Sequence, residues 1–199
     1  MQERTPISFS ARPTPRDGAA WRRALWLALL VAASVAFSFG FACAVPFAAF
    51  GATAALTLAR RDAVLLTVAV WLANQLVGFA VLSYPWTQRT FAWGAVLGVV
   101  AVLATFAARS IARHLEGRGV VIVTLAAFAG AFIVYEGGLF IVAATLLGGT
   151  ADFVPAIVAY ILEINAGAFL GLMALQWVGG AIGLSSKQPF QRLAGARHA

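Results

Sequence analysis

RRDAVLLTVAVWLANQLVGFAVLSYPWTQR, residues 60–89, begins with two arginines, continues through a long, predominantly apolar stretch, and ends in a turn holding Tyr84, Pro85 and Trp86. Residues 63–82 match the ~20 residues that carry a helix across a bilayer core. Arg60 and Arg61 mark a cytoplasmic turn, and the rings of residues 83–90 suit the opposite interface, where amphipathic aromatics settle. This one segment therefore predicts a membrane span together with its direction.

The same reading extends outward in both directions. Further apolar stretches cover residues 24–41, 43–59, 91–108, 119–147 and 154–180. If all six cross, the even-numbered connections share a side with both termini. That side holds Arg4, Arg12, Arg16, Arg22, Arg23, Arg60, Arg61, Arg109, Arg113, Arg118, Lys187, Arg192 and Arg197, and the other keeps Arg89 alone. The positive-inside rule then puts both termini in the cytoplasm. The expected fold is an all-α, polytopic membrane protein with six transmembrane helices. Residues 1–20 form a cytoplasmic tail, 21–181 the six-helix domain and 182–199 a second tail. The expected location is a bacterial-type cytoplasmic (inner) membrane.

Composition narrows the classes. The chain is 62% hydrophobic and 11% charged, which a soluble core of 199 residues does not require. Its net charge of +7 fits basic loops facing an anionic leaflet better than it fits nucleic acid. Cys43 stands alone, which excludes an internal disulfide or a cysteine metal cluster. His114 and His198 lie in a loop and a tail, so no metal centre and no cofactor are expected. Ala42-Cys43-Ala44 follows an apolar run like a signal cleavage site, and cleavage there would leave five spans. That run exceeds the usual ~7–15 residues, so it reads as a retained helix. No H-E-x-x-H, G-x-S-x-G or phosphate loop is present, and no enzyme activity is expected.

Small residues recur at four-residue spacing: Ala24, Ala28, Ala32 and Ala36 in the first span, Gly94 and Gly98 in the fourth, Gly167 and Gly171 in the sixth. Such rows let helix backbones approach closely in lipid. The glycine pairs read as packing within the bundle, the alanine row as a docking strip. Residues 119–147 would measure ~43 Å as one helix, against a core of ~30 Å, so the fifth span must tilt, project or break. Gly137-Gly138 is the natural break point.

The polar residues inside spans carry the functional reading. A carboxylate at the membrane centre costs at least ~2.5 kcal/mol, so Glu136 and Glu163 are expected to have a task. Asn74 and Gln75 are either interhelical glue or ligand contacts. Thr67, Trp71, Asn74 and Gly78 share one face of the third span. Tyr160, Glu163, Gly167 and Gly171 share one face of the sixth, expected to meet other helices. Tyr135 and Glu136 sit beside the suspected break. All this predicts an outward-biased pocket in which Glu136, Glu163, Asn74 and Gln75 bind polar atoms and Trp71, Tyr135 and Tyr160 supply stacking surface.

The alanine row of Ala28, Ala32 and Ala36, the basic inner ends and the outward pocket together resemble the small substrate-binding (S) components of energy-coupling-factor vitamin transporters. The resemblance implies capture of a small, vitamin-like solute. It also implies a first helix that contacts a transmembrane coupling subunit driven by ATPases. One departure is the minimal connection after the first helix, where that family commonly has a longer, ligand-covering loop. Two other functions fit the residues: a self-contained proton-coupled carrier or small channel, and a non-transporting assembly subunit.

Overall fold

The computed structural model describes residues 15–41 and 45–184. The sequence-predicted tails beyond residues 14 and 184, and the Ala42-Cys43-Ala44 turn, lie outside the described residues. Among those described, the chain is all helix: α1 (Pro15–Phe41), α2 (Phe47–Thr57), α3 (Arg60–Ala80), α4 (Gln88–His114), α5 (Val120–Val142) and α6 (Pro155–Ala181). All but α2 are long and apolar enough to cross a membrane, which marks a multi-pass membrane protein.

The second apolar stretch departs from expectation. Only Phe47–Thr57 is helical, and its 11 residues reach ~16 Å, about half the hydrocarbon core. Pro46, whose ring cannot continue a helix backwards, ends it on one side, and extended Leu58 and Ala59 end it on the other. Every residue of α2 except Leu56 is buried. Composition explains this: Ala48, Ala49, Gly51, Ala52, Ala54 and Ala55 leave room for neighbours on all sides. The long helices α3, α4, α5 and α6 pack against α2, and α1 reaches it through the edge-to-face pair Phe37–Phe50. Trp26 of α1 lies against Gly179 of α6 and closes the ring. The fold is thus five long helices around one half-length helix.

Local signals account for the other boundaries. The Thr87 side chain caps α4 by accepting from the Thr90 N–H at 3.2 Å. Asp62 sits in the first turn of α3, where the helix dipole favours an anion, and pairs with Arg23 of α1. Pro155 opens α6, where a missing N–H costs little. Helix α1 begins at Pro15 and so includes the last six residues of the expected tail.

The fifth span does not break at Gly137-Gly138. Helix α5 runs straight through them because Gly138 is a contact point: a Cβ there would lie 3.0 Å from Val100 of α4. The excess length is absorbed later, in a π-helical turn at Ala143–Leu147. Gly148 and Gly149, at φ of 71° and 102°, then reverse the chain with a backbone that side-chain-bearing residues resist. Trp26 faces the bundle.

Candidate functional site

A helix that ends buried inside a bundle needs its terminal N–H and C=O groups satisfied by protein. Both ends of α2 are held by its neighbours. At its N-terminal end the Ala49 N–H donates to Asn165 Oδ1 of α6 at 3.2 Å. Asn165 is fully buried and also donates from Nδ2 to the Ile161 carbonyl. At the other end Arg109 of α4 donates to the Ala55 and Leu58 carbonyls. Gln176 of α6 donates to Thr57 Oγ1 at 2.9 Å. The Thr67–Thr105 hydroxyl pair, 2.9 Å apart, fixes α3 to α4 at the level of Gly51.

Above the N-terminus of α2 the bundle leaves a cavity of about 120 Å³, lined by Phe47, Asn74, Gln75, Tyr84, Thr90, Trp93, Gly94, Leu97 and Tyr135. It fits a single ring and falls below the ~300–1,000 Å³ of drug-sized ligand sites. The seam between α3 and α4 forms most of its wall. Asn74 is buried, its amide NH₂ 3.5 Å from Ser38 Oγ and its oxygen accepting from Gln75 Nε2. Trp71 lies directly beneath: its indole N–H donates to the Gly94 carbonyl at 2.7 Å, and its ring fills the space a side chain at Gly98 would need. The Gly94 and Gly98 pair therefore packs within the bundle, as expected. Tyr135 reaches the cavity from α5, its ring 6.0 Å from that of Phe47. The loop over this region is pinned by the stacked rings of Phe79 and Phe91 and by Trp86 across both.

Glu136 follows Tyr135 but does not line that cavity. The row Phe128, Phe132, Glu136 runs at four-residue spacing along the side of α5 where Phe128 stacks on Phe169 of α6. Glu136 is 8% exposed, and both carboxylate oxygens are shielded without a hydrogen-bond partner among the described residues. Trp26 Nε1 and Thr53 Oγ1 are the other buried side-chain atoms in that condition, and both are neutral. A buried polar group without a partner costs ~1–3 kcal/mol, and a charged one more.

The sequence-predicted site residues thus divide. Asn74, Gln75 and Tyr135 share the cavity, Trp71 supports its floor, and Glu136 lies one residue beyond its wall. Glu163 and Tyr160 are elsewhere: both are exposed, Tyr160 at 56%, on the outer face of α6. The four residues Tyr160, Glu163, Gly167 and Gly171 do share a face, but it does not meet another helix, and a Cβ at either glycine would touch nothing. The buried face of α6 is the opposite one, carrying Ile164, Asn165, Ala168, Phe169, Leu172 and Gln176. Asn165, Gln176, Arg109 and Phe47 were missed. A polar residue two positions from Glu163 in an apolar span was the available signal.

On α1 the small residues again face outward. Ala24, Ala28, Ala32 and Ala36 are all exposed, whereas Trp26, Leu30, Ser34 and Ser38 form the buried row. The two rows are offset by two residues, or about 200° around the helix. No protein-family model, curated protein or solved structure matches the chain.

Proposed function

We propose that this protein is the solute-capturing component of a membrane uptake system, holding a small ring-bearing molecule in the cavity above α2. The single observation that carries the reading is that cavity: aromatic walls, two amides and a hydroxyl converging over a helix that stops halfway through the bundle. Irregular backbone at membrane depth is tolerated where it lines a binding space, and half-helices that end near the midplane are a recurrent feature of transport sites. Asn74, Gln75 and Thr90 are the polar contacts, Phe47, Tyr84, Trp93 and Tyr135 the stacking surface, with Trp71 as support and Glu136 as a nearby charge.

In this reading the chain crosses six times, α2 and the segments flanking it making the second passage, with both termini in the cytoplasm of a bacterial-type inner membrane. Support comes from the helix ends: the start of α1, the α2–α3 turn and the α4–α5 connection carry Arg22, Arg23, Arg60, Arg61, Arg109, Arg113 and Arg118, while the α3–α4 loop carries Arg89. The cavity then opens toward the outside. The exposed row of Ala28, Ala32 and Ala36 serves as the contact for a transmembrane coupling subunit, itself driven by ATPases, in line with the resemblance to the S components of energy-coupling-factor transporters. The shielded carboxyl of Glu136 also favours a second reading, a proton-coupled carrier that needs no partners.

The test is purification in lipid nanodiscs, with mass spectrometry of the small molecules and proteins that co-elute. The capture reading expects one bound solute and a membrane partner. Asn74→Leu with Trp93→Ala should lose the solute and keep the partner, and Ala32→Leu should do the reverse. An empty, partnerless protein that passes protons in liposomes would replace this reading with the carrier.

A further inference from the structure

We propose that the arginine cluster where α2, α3 and α4 come together binds the phosphate of an anionic lipid. The cluster lies at the opposite end of α2 from the solute cavity and does not depend on the capture reading. Arg109 of α4 ties the three helices together, its Nη1 donating to the Ala55 and Leu58 carbonyls at the close of α2. The Arg60 guanidinium, in the first turn of α3, lies over the Phe106 ring of α4, 5.4 Å from its centroid. Phe106, Arg109 and Arg113 follow one face of α4 at i, i+3 and i+7 spacing. Arg60 and Arg113 both act on Arg109 as like charges. Three cations therefore converge at one end of the bundle.

Two of these cations have local explanations, and the third does not. Arg109 satisfies carbonyls that α2 would otherwise leave open. Arg113 stands in the last turn of α4, where the helix dipole favours a cation. Arg60 has the reverse placement, because it opens α3 at the end whose partial charge is positive. Arg61 follows it in the same turn. Ala59 gives α3 no side-chain cap, so the first amides of that helix remain open donors. The carboxylates at this end do not answer the charge. Asp62 is buried and pairs with Arg23, the one ion pair among the described residues. Glu116, just beyond α4, forms none.

Guanidinium groups from two helices beside an uncapped helix start make a site suited to phosphate. Arg60 and Arg113 are exposed, so an anion can reach both. The surroundings favour a lipid as its carrier. Helices α3 and α4 are both long and apolar enough to cross a bilayer, which places their charged ends at its surface. Beyond Phe106 the same face of α4 continues as Leu103 and Val99, 51% and 61% exposed, an apolar track along which an acyl chain can lie.

The experiment titrates phosphatidylglycerol, phosphatidylcholine of the same acyl chains, or inorganic phosphate into the full-length protein in detergent micelles, and counts adducts by native mass spectrometry. The wild type should bind one phosphatidylglycerol in preference to phosphatidylcholine. Arg60→Gln with Arg113→Gln should weaken phosphatidylglycerol by about 30-fold, roughly fivefold for each basic side chain lost, and leave phosphatidylcholine unchanged. Both side chains are exposed, so the unfolding midpoint should stay at the wild-type value. Arg60→Lys with Arg113→Lys, which keeps the charge, should retain the preference. Arg22→Gln with Arg118→Gln, which removes the same charge elsewhere at this end, should leave phosphatidylglycerol binding largely intact. Equal weakening by the two glutamine pairs shows a diffuse basic surface and overturns the site, as does equal binding of the two lipids by the wild type. Binding of inorganic phosphate through Arg60 and Arg113, with no preference between the lipids, overturns the lipid assignment.

Discussion

Replacing Asn165 by alanine tests the proposition that α2 is a half-helix whose buried end is capped from a neighbour. The side chain is fully buried and its Oδ1 is 3.2 Å from the Ala49 N–H, the third amide of α2. An N-cap is worth ~1 kcal/mol in water, where solvent takes over the freed N–H. Here no solvent is available, and a buried donor left without an acceptor costs ~1–3 kcal/mol. Loss of the amide group also leaves a void, which adds ~24 cal/mol per Å³ that fails to collapse. Together these predict destabilisation of about 3 kcal/mol, measured as the shift in reversible unfolding by denaturing detergent in mixed micelles. Gln176→Ala is the internal comparison. It removes a donor to Thr57 Oγ1, whose own proton already goes to the Thr53 carbonyl, so no donor on α2 is orphaned. Its cost should be nearer ~1 kcal/mol. Asn165→Ala within 0.5 kcal/mol of wild type, or cheaper than Gln176→Ala, would refute the capping argument, the threshold being the ~0.5 kcal/mol scatter of changes that touch nothing.

Further substitutions probe other parts of the account. Gly98→Ala should destabilise by ~1–3 kcal/mol, because its Cβ would lie 2.7 Å from the Trp71 ring. Gly171→Ala, at a position open on all sides, should be neutral or stabilise by up to ~1 kcal/mol; the same unfolding assay reads both. Glu136→Leu should make the protein more stable by ~1–4 kcal/mol, since it replaces a buried carboxyl that has no hydrogen-bond partner among the described residues. Ala32→Phe should leave stability and solute binding unchanged and eliminate co-purification of the membrane partner, because Ala32 faces away from the bundle.

Sequence periodicity located the five long helices because each combines a bilayer-length apolar run with a charged or ringed boundary. It did not reveal that the second run is half helix: residues 43–59 are uniformly apolar, and only Pro46 hinted at the stop. The α3 side of the site was legible, since Trp71, Asn74 and Gln75 are conspicuous in an otherwise apolar helix. The α6 side was misread for a definable reason. Gly167 and Gly171 drew the buried face toward Glu163, on the premise that small residues meet other helices. Within this chain the larger residues Phe169, Leu172 and Asn165 make the contacts, and the glycines are left exposed. The same reversal holds on α1, where the alanines face out and Trp26 faces in, so four-residue rows of small residues mark the surface on α1 and α6 but the seam on α4.

The most direct test of the central claim is access to the cavity. In a Cys43→Ser background, Thr90→Cys in the cavity wall and Arg118→Cys in the α4–α5 connection can be labelled in intact cells with a membrane-impermeant maleimide. The account predicts that Thr90→Cys reacts from outside, while Arg118→Cys reacts only after the membrane is opened. Reaction of Arg118→Cys in intact cells, with Thr90→Cys silent until lysis, would contradict it.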